Sequence, residues 1–451
     1  MSLYTAVCAQ ALFPLHEWLK GHDSVAVRRR LERSQWLSAE AIDAERLPRL
    51  QAFLAKAGQQ VPYYRDLFRE QRFDPAEIKS TVDLARLPLL GKPEIRSAGE
   101  RLKAEGTGKL SRYNTGGSSG EPLIFYIGAD RVTHDVAAKW RATRWWNVDI
   151  GDREAVVWGS PIELGAQDRV RGLRDALLRT QLLPAFEMSE AKLDGFVSAL
   201  RRQRPAMLFG YPSALSHIAR HAEQRGVAMN DLGIKVAFVT SERLYDEQRT
   251  TISRVFGCPV ANGYGGRDAG FIAHECPAGG MHLTAEDIVV EIVAPDGSLL
   301  PVGQAGEIVV THLGTRGFPF IRYRTGDVGV LGSTACRCGR GLPLLAEIQG
   351  RSTDFVVAAD GTVIHGLALI YILRDMPGVK AFKIVQESRD HARVVLVAGE
   401  GLAPDATEAI VAGFKRRLGQ PVHVDVEFVD EIPAEASGKF RYVVSRVAAT
   451  V

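Results

Sequence analysis

The residues best suited to chemistry fall in five short stretches spread along the chain. The first runs from Tyr113 to Ile127 and packs Gly116, Gly117 and Gly120 among the hydroxyls of Thr115, Ser118 and Ser119. Glycine lets successive N–H groups turn inward as a nest, and small hydroxyls add donors without bulk, so this loop suits phosphate oxygens. No Lys-Ser/Thr pair closes it, and a strand-like run follows Pro122, so it is not a Walker A loop. A plain Gly/Ser turn is the alternative. The second and third stretches, Val239-Thr240-Ser241-Glu242 and Tyr264-Gly265-Gly266-Arg267-Asp268, both close strand-like runs. The fourth is Ile321 to Asp327, and the fifth is Ser437-Gly438-Lys439-Phe440-Arg441, with Gly350-Arg351 between them.

A separate set of residues suggests a metal. His274-Glu275-Cys276-Pro277 is followed by Met281-His282, and then by Cys336-Arg337-Cys338. Thiolates with imidazole suit tetrahedral Zn²⁺, and four ligands make a closed, structural site. Cys276, His282, Cys336 and Cys338 form the expected set, with His274 as the alternative to His282. Three free thiols packed in a core are the competing reading. Cys8 and Cys258 read as packing residues.

Something must hold these stretches in place. Apolar residues recur at helical spacing from about residue 24 to 72 and again from about His134 to Trp146, so residues 1–95 read as a mainly helical segment. Trp140, Trp145 and Trp146 read as core, with an aromatic pocket as the alternative. Between Glu154 and Tyr264, strand-like runs alternate with helical ones, and Pro212 opens a helix at its first turn. That alternation predicts parallel βαβ units in a layered α/β domain. Beyond Gly270, Ile288–Val293 and Glu307–Thr311 around Pro295-Asp296-Gly297 predict an antiparallel portion. The last hundred residues read as a compact α+β unit, which puts the natural boundary near residue 352, giving 1–351 and 352–451.

Composition narrows the classes. The 451 residues are 46% hydrophobic and 24% charged with a formal net charge of +3, an ordinary balance for a soluble enzyme. No long basic block supports nucleic-acid binding. No apolar stretch approaches the roughly 20 residues that span a bilayer, and the N-terminus lacks the basic start of a signal peptide. Five cysteines do not make a disulfide scaffold, so a cytoplasmic monomer or homodimer is expected.

In this order and at these intervals the five motifs resemble those of the acyl-adenylate-forming enzymes. Within that superfamily the chain is most similar to the phenylacetate–CoA ligase branch and its relatives in capsular polysaccharide biosynthesis. Val61-Pro62-Tyr63-Tyr64-Arg65, Leu87-Pro88 with Lys92-Pro93, and Phe209 to Leu215 extend the likeness over nearly the whole chain. The resemblance implies a large N-terminal domain of layered sheets and a small mobile C-terminal domain. It implies ATP-dependent adenylation of a carboxylic acid with loss of pyrophosphate, then transfer to coenzyme A, with Mg²⁺ assisting. Thr115 to Gly120 would hold the triphosphate, and Ser241, Glu242, Tyr264 and Gly265 the nucleotide. Asp327 would bind the ribose hydroxyls, since a carboxylate accepts two hydrogen bonds from a vicinal diol. Arg351 would reach the ribose or phosphate side, Asp268 would hold Mg²⁺, and Lys439 would steady the transition-state charge. Thr353 and Asp354 stand at the hinge. Tyr211, Tyr264, Gly265 and Gly266 would form the acid pocket, with small glycines admitting a flat, aromatic acid. Three departures mark a divergent member: Glu121 where many members carry Lys, Asp268 in place of Glu, and Thr353 in place of the hinge aspartate. Two other acceptors stay open: a carrier-protein thiol or amine for the acyl group, or a hydroxyl that takes AMP itself.

Overall fold

The computed structural model describes residues 2–114, 123–158, 169–185, 188, 190–351, 355–365, 367–374, 376–432 and 442–447. Thr115 to Gly120, Thr353, Asp354 and Lys439 lie outside the described residues, and of Arg351 only the backbone is described.

The predicted helical N-terminal segment forms as several helices. The helical spacing expected from about 24 to 72, broken at Val61-Pro62, is realised as Ser24–Ser34, Ala39–Gln60 and Pro62–Glu70. The breaks have local causes. The Ser38 hydroxyl accepts from the Ala41 amide as an N-cap, and Pro62 sits at the first turn of its helix, where its missing N–H costs nothing.

Strands β1 (Ser111–Asn114) and β2 (Ile124–Ile127) then form an antiparallel hairpin. The helix Ala129–Arg144 follows, starting five residues before the expected His134. Next come β3 (Glu154–Trp158), β4 (Thr180–Pro184), β5 (Met207–Gly210), β6 (Val236–Thr240), β7 (Val260–Gly266), β8 (Gly270–Glu275) and β9 (Met281–Leu283), in one seven-stranded sheet of order β4-β3-β5-β6-β7-β8-β9. The first five strands are parallel, and β8 and β9 add antiparallel edges. Helices cover both faces, so alternate residues of one strand enter different cores. Met207, Phe209, Val236 and Phe238 join one, while Leu208, Ala237 and Val239 join the other. Two-sided burial is why these strands read as unbroken apolar runs.

Strands β10 (Ile288–Val293), β11 (Ala305–His312), β12 (Tyr323–Leu331) and β13 (Leu345–Arg351) make the expected antiparallel sheet. A short hairpin, β14 (Phe355–Val357) with β15 (Val363–His365), leads into the C-terminal unit. There β16 (Val379–Ser388), β17 (His391–Ala398), β18 (His423–Phe428) and β19 (Val443–Ser445) pair in the order β18-β17-β16-β19. Val356, Phe382, Ile384, Val394, Phe414 and Val443 share a core distinct from the two above.

Candidate active site

The parallel strands set up the site through their carboxyl ends, where open α/β sheets gather ligands. Tyr211 follows β5, Ser241 and Glu242 follow β6, and Tyr264 to Gly266 close β7. Ser241 adopts φ +70°, a left-handed backbone that costs a serine roughly 1–3 kcal/mol and persists where the surroundings impose it. The neighbouring Glu242 carboxylate accepts from the Ser213 amide (3.2 Å) at the start of helix Pro212–Gln224, an anion at a positive helix end.

Two carboxylates face this edge from different sheets. Asp327, on β12, accepts from the Tyr264 hydroxyl of β7 at 2.9 Å. Asp268, just after β7, accepts from the Tyr323 hydroxyl of β12 at 2.6 Å. The two bonds cross, each sheet holding the other's carboxylate. Burial, and next the Asp327 charge, push the Tyr264 phenol well above its ordinary value, so it stays a donor at any physiological pH. The backbone of Asp327 pairs with that of Arg351 on β13, which brings Arg351 to the same place in the sheet.

The loop that carries Asp268 is held from behind by Arg131, a residue with no local sequence signal. Its buried guanidinium donates to the backbone carbonyls of Asp268 (3.1 Å), Arg267 (3.3 Å) and Gly266 (3.5 Å), and to both oxygens of Asp135 (3.0 Å each). Burial alone would raise the Asp135 carboxyl, but Arg131 and then His134 hold it below its ordinary range. The Arg267 guanidinium sits 5.9 Å from the Tyr113 ring centre, so the base of the β1–β2 hairpin adjoins this loop. That hairpin's connection is the Gly/Ser stretch.

Two expectations about the acid pocket need correction. Gly265 was to leave room for substrate, yet an ideal Cβ there would lie 2.0 Å from the Gly270 carbonyl oxygen. The missing side chain makes room for β8, not for a ligand. Tyr211 was to offer a free ring face, but it is buried and stacks on Trp158 with centroids 4.4 Å apart. The Ile321–Asp327 motif also divides its labour. Buried Arg322 pairs with buried Glu291 at 3.0 Å and donates to the Leu87 carbonyl (2.6 Å), which locks the Leu-Pro segment beside β12.

Away from this edge, the structure brings Cys276, His282, Cys336 and Cys338 together, one ligand atom from each lying within 4.8 Å of all the others. Two turns present the thiols. Gly279 (φ +86°) donates to the Cys276 carbonyl, and Gly339 (φ +79°) donates to that of Cys336. A Cβ on Gly280 would sit 2.6 Å from the Cys336 sulfur. His282 Nδ1 lies 3.2 Å from the Leu342 carbonyl, which fixes the proton there and leaves the Nε2 lone pair facing Cys338 Sγ at 3.1 Å. Burial lowers His282 to about 4 and keeps it neutral, the form that ligates. His274 is outside the group and stacks on Phe271 instead. Two of the three tryptophans expected as core are packed here: Trp145 meets His282 edge-on at 5.6 Å, and Trp146 donates to the Glu275 carbonyl.

Comparison with known proteins shows what the chain is similar to. A family described as the CapK C-terminal domain matches residues 356–446. Protein CapK of Staphylococcus aureus is 23% identical over 396 residues, covering 85% of both chains. Phenylacetate-coenzyme A ligase of Thermus thermophilus is 27% identical over 399 residues, covering 85% of this chain and 84% of its own. A 2-hydroxyisobutyryl-CoA ligase in its postadenylation state superposes with a TM-score of 0.74 at 24% identity, over 92% of this chain and 91% of that one. Over most of its length the chain is similar to the CapK and phenylacetate–CoA ligase branch of the acyl-adenylate-forming enzymes, and it shares their fold. The same 2-hydroxyisobutyryl-CoA ligase in its thioesterification state superposes with a TM-score of 0.63 at 25% identity, over 92% of this chain and 91% of that one.

Proposed function

We propose that the chain is an ATP-dependent, AMP-forming acid–thiol ligase. It joins a carboxylic acid to the α-phosphate of ATP with release of pyrophosphate, then passes the acyl group to the thiol of coenzyme A. The observation that carries this reading is the crossed pair, Tyr264 to Asp327 and Tyr323 to Asp268, at the strand ends of a chain whose relatives over 85% of its length include phenylacetate–CoA ligase.

Phosphoryl transfer needs positioning and charge neutralisation more than covalent help. Asp327 is positioned to take the ribose diol, with Tyr264 orienting the carboxylate. Asp268 suits Mg²⁺: its oxygens accept from Tyr323 and from the Ala269 amide (3.0 Å), and each keeps a lone pair. Mg²⁺ supplies neutralisation of phosphate charge. Thr115 to Gly120 cradle the phosphates, and Lys439 reaches in from a C-terminal domain that begins near residue 352 and turns about Thr353 and Asp354 between half-reactions. The acid is aromatic, and its pocket lies by Tyr264 and Gly266. Cys276, His282, Cys336 and Cys338 hold a structural Zn²⁺, for which their donor set and the fixed His282 tautomer are fitted.

The deciding experiment is pyrophosphate exchange across a panel of acids, followed by coenzyme A consumption. Acid-dependent exchange with coenzyme A consumption is expected, aryl and arylacetic acids leading. Exchange that needs no acid, or acid-dependent exchange with no use of coenzyme A, would overturn the reading.

A further inference from the structure

Among the described residues, twelve large hydrophobic side chains stand exposed, and six of them lie within the first nineteen positions. They are Leu3 (84% exposed), Val7, Leu12, Leu15 (54%), Trp18 (73%) and Leu19 (70%). Their spacing follows one side of the helical run Leu3–Leu19, which passes through one wide turn at Cys8–Leu12. The opposite side is fixed to the body. Thr5 donates to Asp152 (2.8 Å), Cys8 is buried, and Phe13 meets Trp140 edge-on at 5.1 Å. The run is therefore amphipathic in an inverted sense: its outward side is the apolar one, and no charge appears on it before Lys20. Patches of this kind mark a contact site.

The surrounding charges identify the partner. Lys20 and Arg174 both act on His16 at the helix end, and the Arg179 guanidinium lies 3.7 Å from the Tyr4 ring. The acids are withdrawn. Glu17 is turned inward, bonded by Ser24 (2.5 Å) with His22 beside it, and Asp175 is taken up by Arg174. With Arg174 and Asp175 paired to each other, that leaves Asp23 against Lys20 and Arg179. We propose that this ridge seats the enzyme on an anionic phospholipid surface, the helical run lying in the interface with Leu3, Leu15, Trp18 and Leu19 below the headgroups. An apolar face with an interfacial tryptophan and basic flanks is the composition that binds there. A second copy of the chain is the weaker fit, since pairing ridge to ridge would bring the two basic collars together. The run lies on the membrane and does not cross it: no described helix is long and apolar enough to span, and one side is committed to the fold.

The test is flotation of the full chain with vesicles of phosphatidylcholine alone and of phosphatidylcholine with phosphatidylglycerol. Binding should grow with phosphatidylglycerol and weaken with salt. Leu15→Glu/Trp18→Glu should lower it by roughly a hundredfold, about tenfold per large apolar side chain removed from the interface. Both positions are exposed, so the variant should melt at the wild-type temperature. The proposal fails if the intact, folded chain floats with no mixture. It fails equally if sedimentation shows a dimer that the double variant abolishes, because the ridge would then belong to a second copy.

Discussion

At the scale of single residues, positions that look alike in sequence carry different loads. Lys439 is the residue expected to meet developing charge during adenylation. Lys439→Ala should lower acyl-AMP formation by about 10²-fold or more, the scale of losing one preorganised stabilising group. Thioester formation from preformed acyl-AMP should fall far less, and an equal loss in both half-reactions would remove that role. Arg322, in a motif read for its chemistry, is instead structural. Burial raises the Glu291 carboxyl against the pull of Arg322, yet both side chains are almost wholly enclosed. Removing one partner strands the other, so Glu291→Ala should destabilise the fold by about 3–5 kcal/mol in denaturant titrations. A change below about 1 kcal/mol would mean that the carbonyls of Ala85, Leu87 and Gly297, which also accept from Arg322, suffice without the carboxylate.

At the scale of elements, legibility followed how local the cause was. Strands β5 and β6 showed as apolar runs because both faces of the sheet are covered, and the Cys/His cluster showed because each half of the set is carried by a short turn. Strands β8 and β9 did not. Met281–Leu283 is too short for any period, and only pairing with β7 makes the pair of strands a sheet edge. Gly265 misled for a related reason: glycine before a charged turn reads as space, but the space is occupied by a strand about which local spacing says nothing. Arg131 and Asp287 act across more than a hundred residues. The turns predict their own experiment: protein purified without chelator should carry about one zinc per chain, and Cys336→Ser or Cys338→Ser should lose it and melt earlier. Metal-free protein of unchanged stability would dismiss the site. Asp287 joins Arg30 (2.6 Å), Arg49 and His134 at the junction of helices and sheet. Burial would raise its carboxyl, but His134 and the two guanidiniums hold it well below its ordinary value. A depressed carboxyl stabilises fully above its unfolded value of about 4 and loses that stability only as pH falls toward the folded one. The wild type should therefore shed melting temperature below about pH 4 more steeply than Asp287→Asn, which should be less stable at pH 7. Parallel acid limbs would show that other carboxyls govern the loss.

At the scale of the whole molecule, the proposed turn of the C-terminal domain between half-reactions sets the next expectation. Thr353→Pro would fix φ near −65° at the pivot. Trapping one arrangement should leave one half-reaction within a few-fold of wild type and slow the other by at least about tenfold, and single-turnover assays of each step can tell. Equal effects would place the pivot elsewhere. The crossed hydroxyl bonds between the two sheets carry a different consequence. Because β7 holds Asp327 and β12 holds Asp268, whatever draws on one carboxylate also shifts the strand that orients the other. Coupling between two binding events is reciprocal by thermodynamic necessity, so any factor by which Mg²⁺ at Asp268 would tighten a nucleoside at Asp327 must equal the factor by which that nucleoside would tighten Mg²⁺. The two tyrosines are where that shared factor is written, and a nucleoside without its ribose diol should leave the metal nearly as weakly held as in the empty protein.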